Sequence, residues 1–533
     1  MRRSLGRALS GAFVVGGAVA AGTALFVPAG PVYADGPAWR YLIAGTVLLE
    51  LSVVWLLGRC WPRPGRPAGA TVPPRRSLLF TGGLALAGAL WAVPRAVNDL
   101  TSGLPGPRPA LVAAGFLLLL AGVALGLPGS GAEPDALPRR PLVRGWLAGL
   151  LLVPVLVLAD FAAVRLTPVR ATTTDAVAAP EVPAVVGGVR WTWTAPSDPV
   201  GVVAAGAGAV VRLRDGLTAL AGRDGAVRWT YRRPGTTVTD VVTTPDGSRL
   251  IAIFSSRNGG RHTLVVTFDA YTGAVLETDE TVHDRVARPQ NRVWLDFDPQ
   301  RIRATWLEAG GEAWTWRAPD GCRLDRPLEQ LLTRAGPVLL MTCADPARPD
   351  LAVGLDEATG RERWRTVLTR ATDRERRSWM VLGSGAASID ASILLDIETG
   401  AVLYTAAPRH AIRVPDRNFP LLDYYPEGRP PTAGPDVLVH DVATGTDRPE
   451  PARDPATRCR SPLLTPAGLL RLCRTAGDTL RLESFTLPAG QPAGSAELAL
   501  GGDLPPSPER MLTVAPGAVV AWSAGHRTVY GLA

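Results

Sequence analysis

The sequence contains no lysine, so all 56 basic side chains in its 533 residues are arginine. A Walker P-loop, a Schiff-base enzyme and a Ser-Lys enzyme each need a lysine, and these classes are therefore excluded. Aromatic residues make up 6% of the chain, and 57 Gly with 49 Pro exclude long regular helices throughout. No Cys-x-x-Cys, His-Glu-x-x-His or Gly-x-Ser-x-Gly sequence occurs, so no such motif marks a metal site or a catalytic triad.

The net charge of +8 belongs to the first third of the chain. Residues 1–164 hold 14 Arg and six acidic residues, whereas the remainder holds 42 Arg and 42 acidic residues. The remainder is therefore neutral overall, and it offers no general electrostatic attraction for a phosphate backbone. We predict no nucleic-acid partner.

Apolar runs predict an α-helical membrane domain over residues 1–165. Each run has the length of about 17–20 residues that a helix needs to cross a bilayer. The five runs cover residues 8–27, 41–58, 77–93, 110–127 and 145–164. Eleven arginines flank the runs on one side and three on the other, which predicts a cytoplasmic amino terminus and an exported carboxy-terminal part. The prediction is thus a multi-pass protein of the cell membrane.

Two features of these runs leave alternatives open. Glu50 lies in the middle of the second run, where an ionised carboxylate is costly. It is either a functional intramembrane carboxylate or a protonated group hydrogen-bonded to a neighbouring helix. The first run also fits a signal peptide with a cleavage site at Val32-Tyr33-Ala34, and cleavage would leave the predicted topology unchanged.

A repeating unit follows a Pro-, Thr- and Ala-rich linker over residues 166–185. From 186 to 533, short apolar strands alternate with turns, and a unit recurs every 37–50 residues. In its full form, Asp-x-x-Thr-Gly forms a tight hairpin, and an aromatic ring comes four residues after the glycine. The turn glycines are Gly225, Gly273, Gly360, Gly400 and Gly445. The rings are Trp191, Trp229, Trp314, Trp364 and Tyr404. Such a period predicts an all-β propeller.

The repeated Asp-x-x-Thr-Gly-x-x-x-Trp pattern resembles that of the propellers of the pyrroloquinoline-quinone (PQQ) type. It implies four-stranded antiparallel blades, seven or eight in number, with eight favoured. Three copies depart from the pattern, with Glu277, Pro449 and no aromatic residue after Gly490. The ends of the domain look like two halves of one repeat, so we expect Val529–Leu532 to pair with Arg190–Trp193 and close the ring.

Four cysteines lie in the predicted exported domain. An even number there favours disulfides between the sequence-near partners, with buried free thiols as the alternative. The expected pairs are Cys322 with Cys343 and Cys459 with Cys473.

The sequence therefore predicts a membrane-anchored, exported propeller that binds another envelope protein, a peptide or a glycan and has no enzymatic activity. The resemblance implies an alternative, a membrane-bound quinoprotein dehydrogenase whose helices pass electrons to a quinone. No lysine is present to contact the cofactor, and no position matches a catalytic aspartate or calcium ligands. We therefore predict no cofactor, with PQQ and calcium under the alternative alone. A third hypothesis is a transporter or receptor that depends on Glu50.

Overall fold

A computed structural model gives the structure of the chain over twenty stretches. They are residues 2–24, 46–47, 51, 53–54, 75–101, 104, 107–127, 169–256, 262–282, 288–307, 311–324, 331–344, 349–368, 380–383, 385–428, 435–451, 458–459, 462–474, 479–500 and 511–533. Glu50 lies outside them, so its predicted role is not addressed by the structure.

The amino-terminal stretches contain three helices, α1 (Arg2–Thr23), α2 (Arg75–Thr101) and α3 (Pro107–Gly126). Helices α1 and α3 pack closely through glycine, since a Cβ on Gly17 would lie 2.6 Å from the carbonyl oxygen of Gly115. The Ser10 hydroxyl donates a hydrogen bond of 2.6 Å to the Gly122 carbonyl across the same contact. Small residues thus let the two backbones approach.

The prediction of five transmembrane helices is wrong. Within the stretches above there are three helices, and Arg76–Val97 is the one that is long and apolar enough to cross a membrane. The apolar parts of the other two, Leu9–Thr23 and Pro109–Leu125, span about 23–26 Å, short of the roughly 30 Å of a hydrocarbon core. The predicted run at 145–164 lies outside the described residues, as does most of the run at 41–58.

From residue 169 onward the described residues form eight antiparallel sheets, each a blade of a propeller. Blade 1 contains β1 (Arg170–Thr172), β3 (Gly201–Ala205), β4 (Gly208–Leu213), β5 (Gly216–Ala221) and β6 (Val227–Arg232). Blade 2 contains β7 (Thr236–Thr243), β8 (Arg249–Ser256), β9 (His262–Asp269) and β10 (Val275–Val282). Blade 3 contains β11 (Arg288–Pro289), β12 (Val293–Asp298), β13 (Arg301–Trp306) and β14 (Glu312–Arg317). Blade 4 contains β15 (Cys322–Leu324), β16 (Leu331–Thr333), β17 (Gly336–Cys343), β18 (Asp350–Leu355) and β19 (Glu362–Leu368).

The remaining four blades follow in chain order. Blade 5 contains β20 (Met380–Leu382), β21 (Ala386–Ile389), β22 (Ile393–Asp396) and β23 (Val402–Thr405). Blade 6 contains β24 (His410–Val414), β25 (Leu421–Tyr424), β26 (Asp436–Asp441) and β27 (Thr446–Pro449). Blade 7 contains β28 (Arg458–Cys459), β29 (Leu463–Thr465), β30 (Gly468–Arg474), β31 (Leu480–Thr486) and β32 (Pro492–Leu498). Blade 8 contains β2 (Val189–Thr194), β33 (Leu512–Ala515), β34 (Ala518–Ala521) and β35 (Thr528–Leu532).

The predicted eight blades and the predicted closure are both confirmed. Blade 8 takes its outermost strand, β2, from the beginning of the domain and its other three strands from the end. The register pairs Val189 with Leu532 and Trp193 with Val529, so the two ends share one sheet. The ring is held shut by strand pairing.

The apolar core is a chain of clusters between neighbouring blades. Seven clusters join blades 1 with 2, 3 with 4, 4 with 5, 5 with 6, 6 with 7, 7 with 8, and 8 with 1. Among the residues whose structure is known, no such cluster joins blades 2 and 3. We call each contact between two neighbouring blades a seam, and seam 2–3 is the exception in the core.

Candidate functional site

The Asp-x-x-Thr-Gly turns join the third and fourth strands of their blades. In blade 2 the Asp269 carboxylate accepts hydrogen bonds of 2.9 Å from the backbone amides of Tyr271 and Thr272. The Gly273 amide donates to the Asp269 carbonyl, and Gly273 has a φ of 75°, which a glycine adopts without strain. The other four predicted turn glycines have φ between 66° and 72°. The polar atoms of the repeat are therefore used within the hairpin.

The aromatic rings of the repeat lie between blades. The Trp229 ring of blade 1 covers Gly273 of blade 2, where a Cβ would lie 2.5 Å from the ring. Its indole N–H donates a 3.0 Å hydrogen bond to the Ala270 carbonyl. Trp191, Trp314 and Trp364 repeat this geometry, donating to the carbonyls of Gly222, Glu357 and Ile397 and covering Gly225, Gly360 and Gly400. We call this place on the outermost strand the docking position.

Tyr404 occupies the docking position of blade 5 and contacts a histidine. Its ring centroid lies 4.2 Å from that of His440 in blade 6, and His440 Nδ1 lies 2.7 Å from a carboxylate oxygen of Asp447. Burial, followed by the charge of Asp447, raises the pKa of the Tyr404 phenol. Like the tryptophans, Tyr404 therefore packs in the contact between two neighbouring blades.

The departures from the repeat are found at three seams. Pro449 holds the docking position of blade 6, and the nearby seam 6–7 contains a buried arginine, Arg471. The Arg471 guanidinium lies 2.7 Å from the Glu483 carboxylate and 3.5 Å from that of Glu450, which follows β27 of blade 6. A buried arginine needs such partners, and the ion pair with Glu450 joins blade 6 to blade 7.

The predicted linker is bound to the propeller over much of its length. Strand β1 pairs with β6 as a fifth strand of blade 1. Residues 173–188, which we call the strap, then contact blades 2, 8 and 7. The Thr174 amide donates to Thr272 in blade 2, the Gly517 amide of blade 8 donates to Glu181, and the Thr465 hydroxyl of blade 7 donates to Ala184.

The strap also fills the third departure. Gly494 holds the docking position of blade 7, and a Cβ there would lie 2.6 Å from the carbonyl oxygens of Val186 and Gly187. An extended backbone segment therefore lies where another blade would place a ring.

Seam 2–3 differs from the other two, because its docking position is held by the exposed Glu277. The face of blade 3 that points away from blade 4 carries charged side chains at alternate positions of its strands. This charged face consists of Asp296, Asp298, Arg301, Arg303, Glu312, Thr315 and Arg317, all exposed. Arg301 lies 3.7 Å from Asp298, and Arg303 lies 3.7 Å from Glu312, with about half of each side chain in solvent.

Polar groups tie seam 2–3 at its inner end. The Asp246 amide of blade 2 donates a 2.9 Å hydrogen bond to the Asn291 side chain of blade 3. The Asn291 amide group in turn donates 2.9 Å to Glu357 of blade 4, and the Arg292 amide donates to the same carboxylate. Arg334 of blade 4 reaches the Pro245 carbonyl of blade 2 at 3.3 Å.

The two carboxylates of this network have pKa values shifted in opposite directions. Burial raises the pKa of Glu357 and outweighs the hydrogen bonds from Arg292 and Asn291, with the charge of Asp246 adding to the rise. Burial also acts on Asp246, but hydrogen bonds from Thr244 and Ser248 outweigh it and lower that pKa. As the pH rises, Asp246 therefore loses its proton before Glu357 does.

Two disulfides, Cys322–Cys343 and Cys459–Cys473, lie in blades 4 and 7. Both join directly opposed residues of paired strands. In each of these blades two short strands pair with the long second strand, β15 and β16 in blade 4 and β28 and β29 in blade 7. Each disulfide joins the first of the two short strands to the long one.

The neighbouring carboxylates Asp246 and Glu357 accept hydrogen bonds from four residues of the chain, Thr244, Ser248, Asn291 and Arg292. Over the twenty stretches described, no three His, Cys, Asp or Glu side chains converge as metal ligands would.

Sequence reasoning missed the strap, the buried Arg471 and the charged face. A signal for the charged face was present, since apolar Val293, Leu295 and Phe297 alternate with Trp294, Asp296 and Asp298. A strand with two covered faces would be apolar at both sets of positions. No signal could have placed the strap, because its contacts are made by backbone groups.

No family model and no curated protein matches the chain. Similar solved structures include BamB from Moraxella catarrhalis, with 16% identity over 64% of this chain and 95% of that one and a TM-score of 0.38. They also include a quinohemoprotein alcohol dehydrogenase from Comamonas testosteroni, with 13% identity, 65% and 76% coverage and a TM-score of 0.33. The WD40 domain of SCAP from fission yeast has 8% identity, 64% and 96% coverage and a TM-score of 0.37. The assignment of eight blades rests on the strand pairing and not on these likenesses.

Proposed function

We propose that the chain is an exported propeller that binds a protein partner and acts as a scaffold, without catalysis. The observation that carries the proposal is the use of the repeat residues. The indole groups of Trp191, Trp229, Trp314 and Trp364 and the turn carboxylates all bind backbone groups, so they hold blades together and do not form a site for a small substrate.

A titration tests the scaffold against the quinoprotein alternative. PQQ is polyanionic and needs cations and several calcium-binding oxygens around it. Adding PQQ and calcium to the purified full-length chain should give no saturable spectral change and no shift in Tm. Stoichiometric binding with alcohol- or sugar-dependent dye reduction would replace the scaffold with a dehydrogenase.

The cell envelope is the proposed location. Disulfides form and persist outside the reducing cytoplasm, and both pairs here join strands of the propeller. The helical part, with Arg76–Val97 as its span, would attach the propeller to the outer side of the bilayer. A reporter fused after residue 170 should then be active outside the cytoplasm, and cytoplasmic activity would refute this placement.

A further inference from the structure

We propose that one end of blade 1 binds the anionic lipid headgroups of the membrane. This end, which we call the basic end, consists of Arg170, Arg214, Arg232 and Arg233 and lies where the chain enters the propeller. The interaction deepens the proposed scaffold function and rests on the proposed attachment of the propeller to a bilayer.

Strand pairing brings the four arginines of the basic end together. Arg170 is the first residue of β1, and it lies directly opposite Arg232, the last residue of β6. Arg232 also lies opposite Gly216, the first residue of β5. The turn that contains Arg214 leads into β5, and Arg233 follows β6, so both are at the same end of the blade.

The charges of the basic end are not balanced. Asp215 is the one acidic residue in the segments 170–172, 214–216 and 232–236, and its carboxylate lies 2.6 Å from the Arg232 guanidinium. Among the described residues, neither Arg170 nor Arg214 has an ion-pair partner, and both are exposed. Like charges directly opposite each other on paired strands are destabilising, so the placement of Arg170 opposite Arg232 has a cost that a bound anion would offset.

Exposed arginines in comparable connections of other blades have carboxylate partners. Arg527 follows the second strand of blade 8, and its guanidinium lies 3.4 Å from Asp198. Arg409 lies between blades 5 and 6, and its guanidinium lies 2.8 Å from Glu427. The excess at blade 1 is therefore local, because the chain after residue 164 contains equal numbers of Arg and acidic residues.

The helical part reaches the propeller at blade 1 by two separate routes. Strand β1 runs antiparallel to β6, so the chain enters β1 at the basic end. Leu104 comes three residues after the end of α2, and it is 1% exposed within the apolar cluster that joins blades 1 and 2. Both routes place blade 1 next to the helices.

The length of the second route sets how close blade 1 lies to the bilayer. Leu104 comes seven residues after Val97, where the apolar span ends. Four of these residues belong to α2, so the whole segment covers at most about 17 Å. The headgroup layer on each side of a bilayer is itself roughly 5–8 Å thick. Arginine suits this layer, because its guanidinium forms paired hydrogen bonds with phosphate.

Photolabelling of the reconstituted full-length chain tests this surface. The chain is incorporated into vesicles of equal parts phosphatidylcholine and phosphatidylglycerol. One sample contains a trace of phosphatidylglycerol with a diazirine in its headgroup, and a parallel sample contains phosphatidylcholine with the same group. Mass spectrometry then locates the labelled residues.

Two variants with the same loss of charge are compared. The test variant is Arg170→Gln with Arg214→Gln. The control is Arg409→Gln with Arg527→Gln, two exposed arginines that have carboxylate partners. Labelling of the natural chain at about 1 M salt, where the Debye length is about 3 Å, is a second measure that needs no variant.

The phosphatidylglycerol probe should label the segments 170–172, 214–216 and 232–236 at least fivefold more than the phosphatidylcholine probe does. This labelling should fall at least fivefold in the test variant and in high salt, and it should stay within twofold in the control.

Equal labelling by the two probes, or equal labelling of the two variants, would overturn the recognition of anionic lipid. Labelling confined to the connections around Arg409 and Arg527 would overturn the placement of blade 1 on the bilayer. An absence of labelling would also overturn the lipid surface and would favour an acidic protein as the partner of the basic end. The PQQ titration and the reporter fusion test the proposed function separately, because neither depends on these arginines.

Discussion

A single indole at the docking position makes two kinds of contact with the next blade. Its ring covers a turn glycine, where any Cβ would clash, and its N–H satisfies a carbonyl three residues earlier in that turn. Both contacts are buried at Trp229, which is 0% exposed. The pair of contacts explains why the ring and the glycine occur together in the sequence.

Replacing Trp229 with alanine should therefore lower the free energy of unfolding by about 3–5 kcal/mol. A phenylalanine at the same place keeps part of the packing but leaves the Ala270 carbonyl without its donor, which costs about 1–3 kcal/mol. Chemical denaturation measures both changes. The matched control is Glu277→Ala, at the docking position of blade 2, which should change the free energy by no more than about 0.5 kcal/mol. An equal loss in the control would contradict the seam assignment.

The Asp246–Glu357 network should give two opposite pH dependences. Asp246 has a lowered pKa when folded, so its contribution is present above its unfolded value near 4 and is lost as the pH falls. Glu357 has a raised pKa, so its contribution is lost as the pH rises from about 4 through the folded pKa.

Denaturation midpoints measured across pH separate the two groups. Asp246→Asn should lose less stability than the natural chain on acidification below about pH 4. Glu357→Gln should lose less as the pH rises from about 4. If both variants instead lost less stability than the natural chain as the pH rises above about 4, burial alone would govern the two carboxylates.

Among the elements, the strand β35 closes the ring of blades. It lies between β34 and β2, so it joins the two ends of the domain within blade 8. The strap then ties that blade to blade 7, through Thr465 and Ala184, and to blade 2, through Thr174. The strand β35 and the strap therefore both hold the ring closed.

Deleting residues 528–533 should abolish a single cooperative unfolding transition. The deletion removes the partners of both β34 and β2 and the carbonyl of Ala533 that accepts from Gly187. Calorimetry of the truncated chain is the measurement, and a chain extended by a short Gly-Ser tail after Ala533 is the control. A truncated chain that melts like the extended one would place the closure elsewhere.

The elements of the propeller were largely predictable and the helices were not. A hairpin is a local matter of Asp, Thr and Gly, so each turn of the repeat could be placed from its own few residues. Apolar runs of 17–20 residues measure composition, whereas the helices at Leu9–Thr23 and Pro109–Leu125 have apolar parts too short to span. The linker over 166–185 was predicted from its prolines to be a free spacer. In the structure it is held by hydrogen bonds to backbone groups of blades 2, 7 and 8.

Over the whole molecule, the ring is uneven. Blade 4 buries apolar side chains on both faces, whereas the described residues of blade 3 form an apolar cluster only on the face toward blade 4. Burial of apolar surface is the main stabilising contribution to a blade, so blade 3 should open at a lower free energy than blade 4.

Native-state hydrogen exchange in low denaturant tests this order. Amides of β12 and β13 should lose protection before those of β17 and β18. The two pairs are middle strands of adjacent blades, so their difference reports on the covered faces. Simultaneous exchange would show that the ring opens as one unit.

The position of β2 in the chain also delays the formation of blade 8 during synthesis. It emerges with residues 189–194, but its partner β35 ends at residue 532, so the sheet cannot form until more than 330 further residues have been made. At a rate of about 5–20 residues per second, that wait is roughly 20–70 s. During this time the strap and β2 are nascent chain with an unpaired edge, and a chaperone that protects such edges has its longest opportunity here.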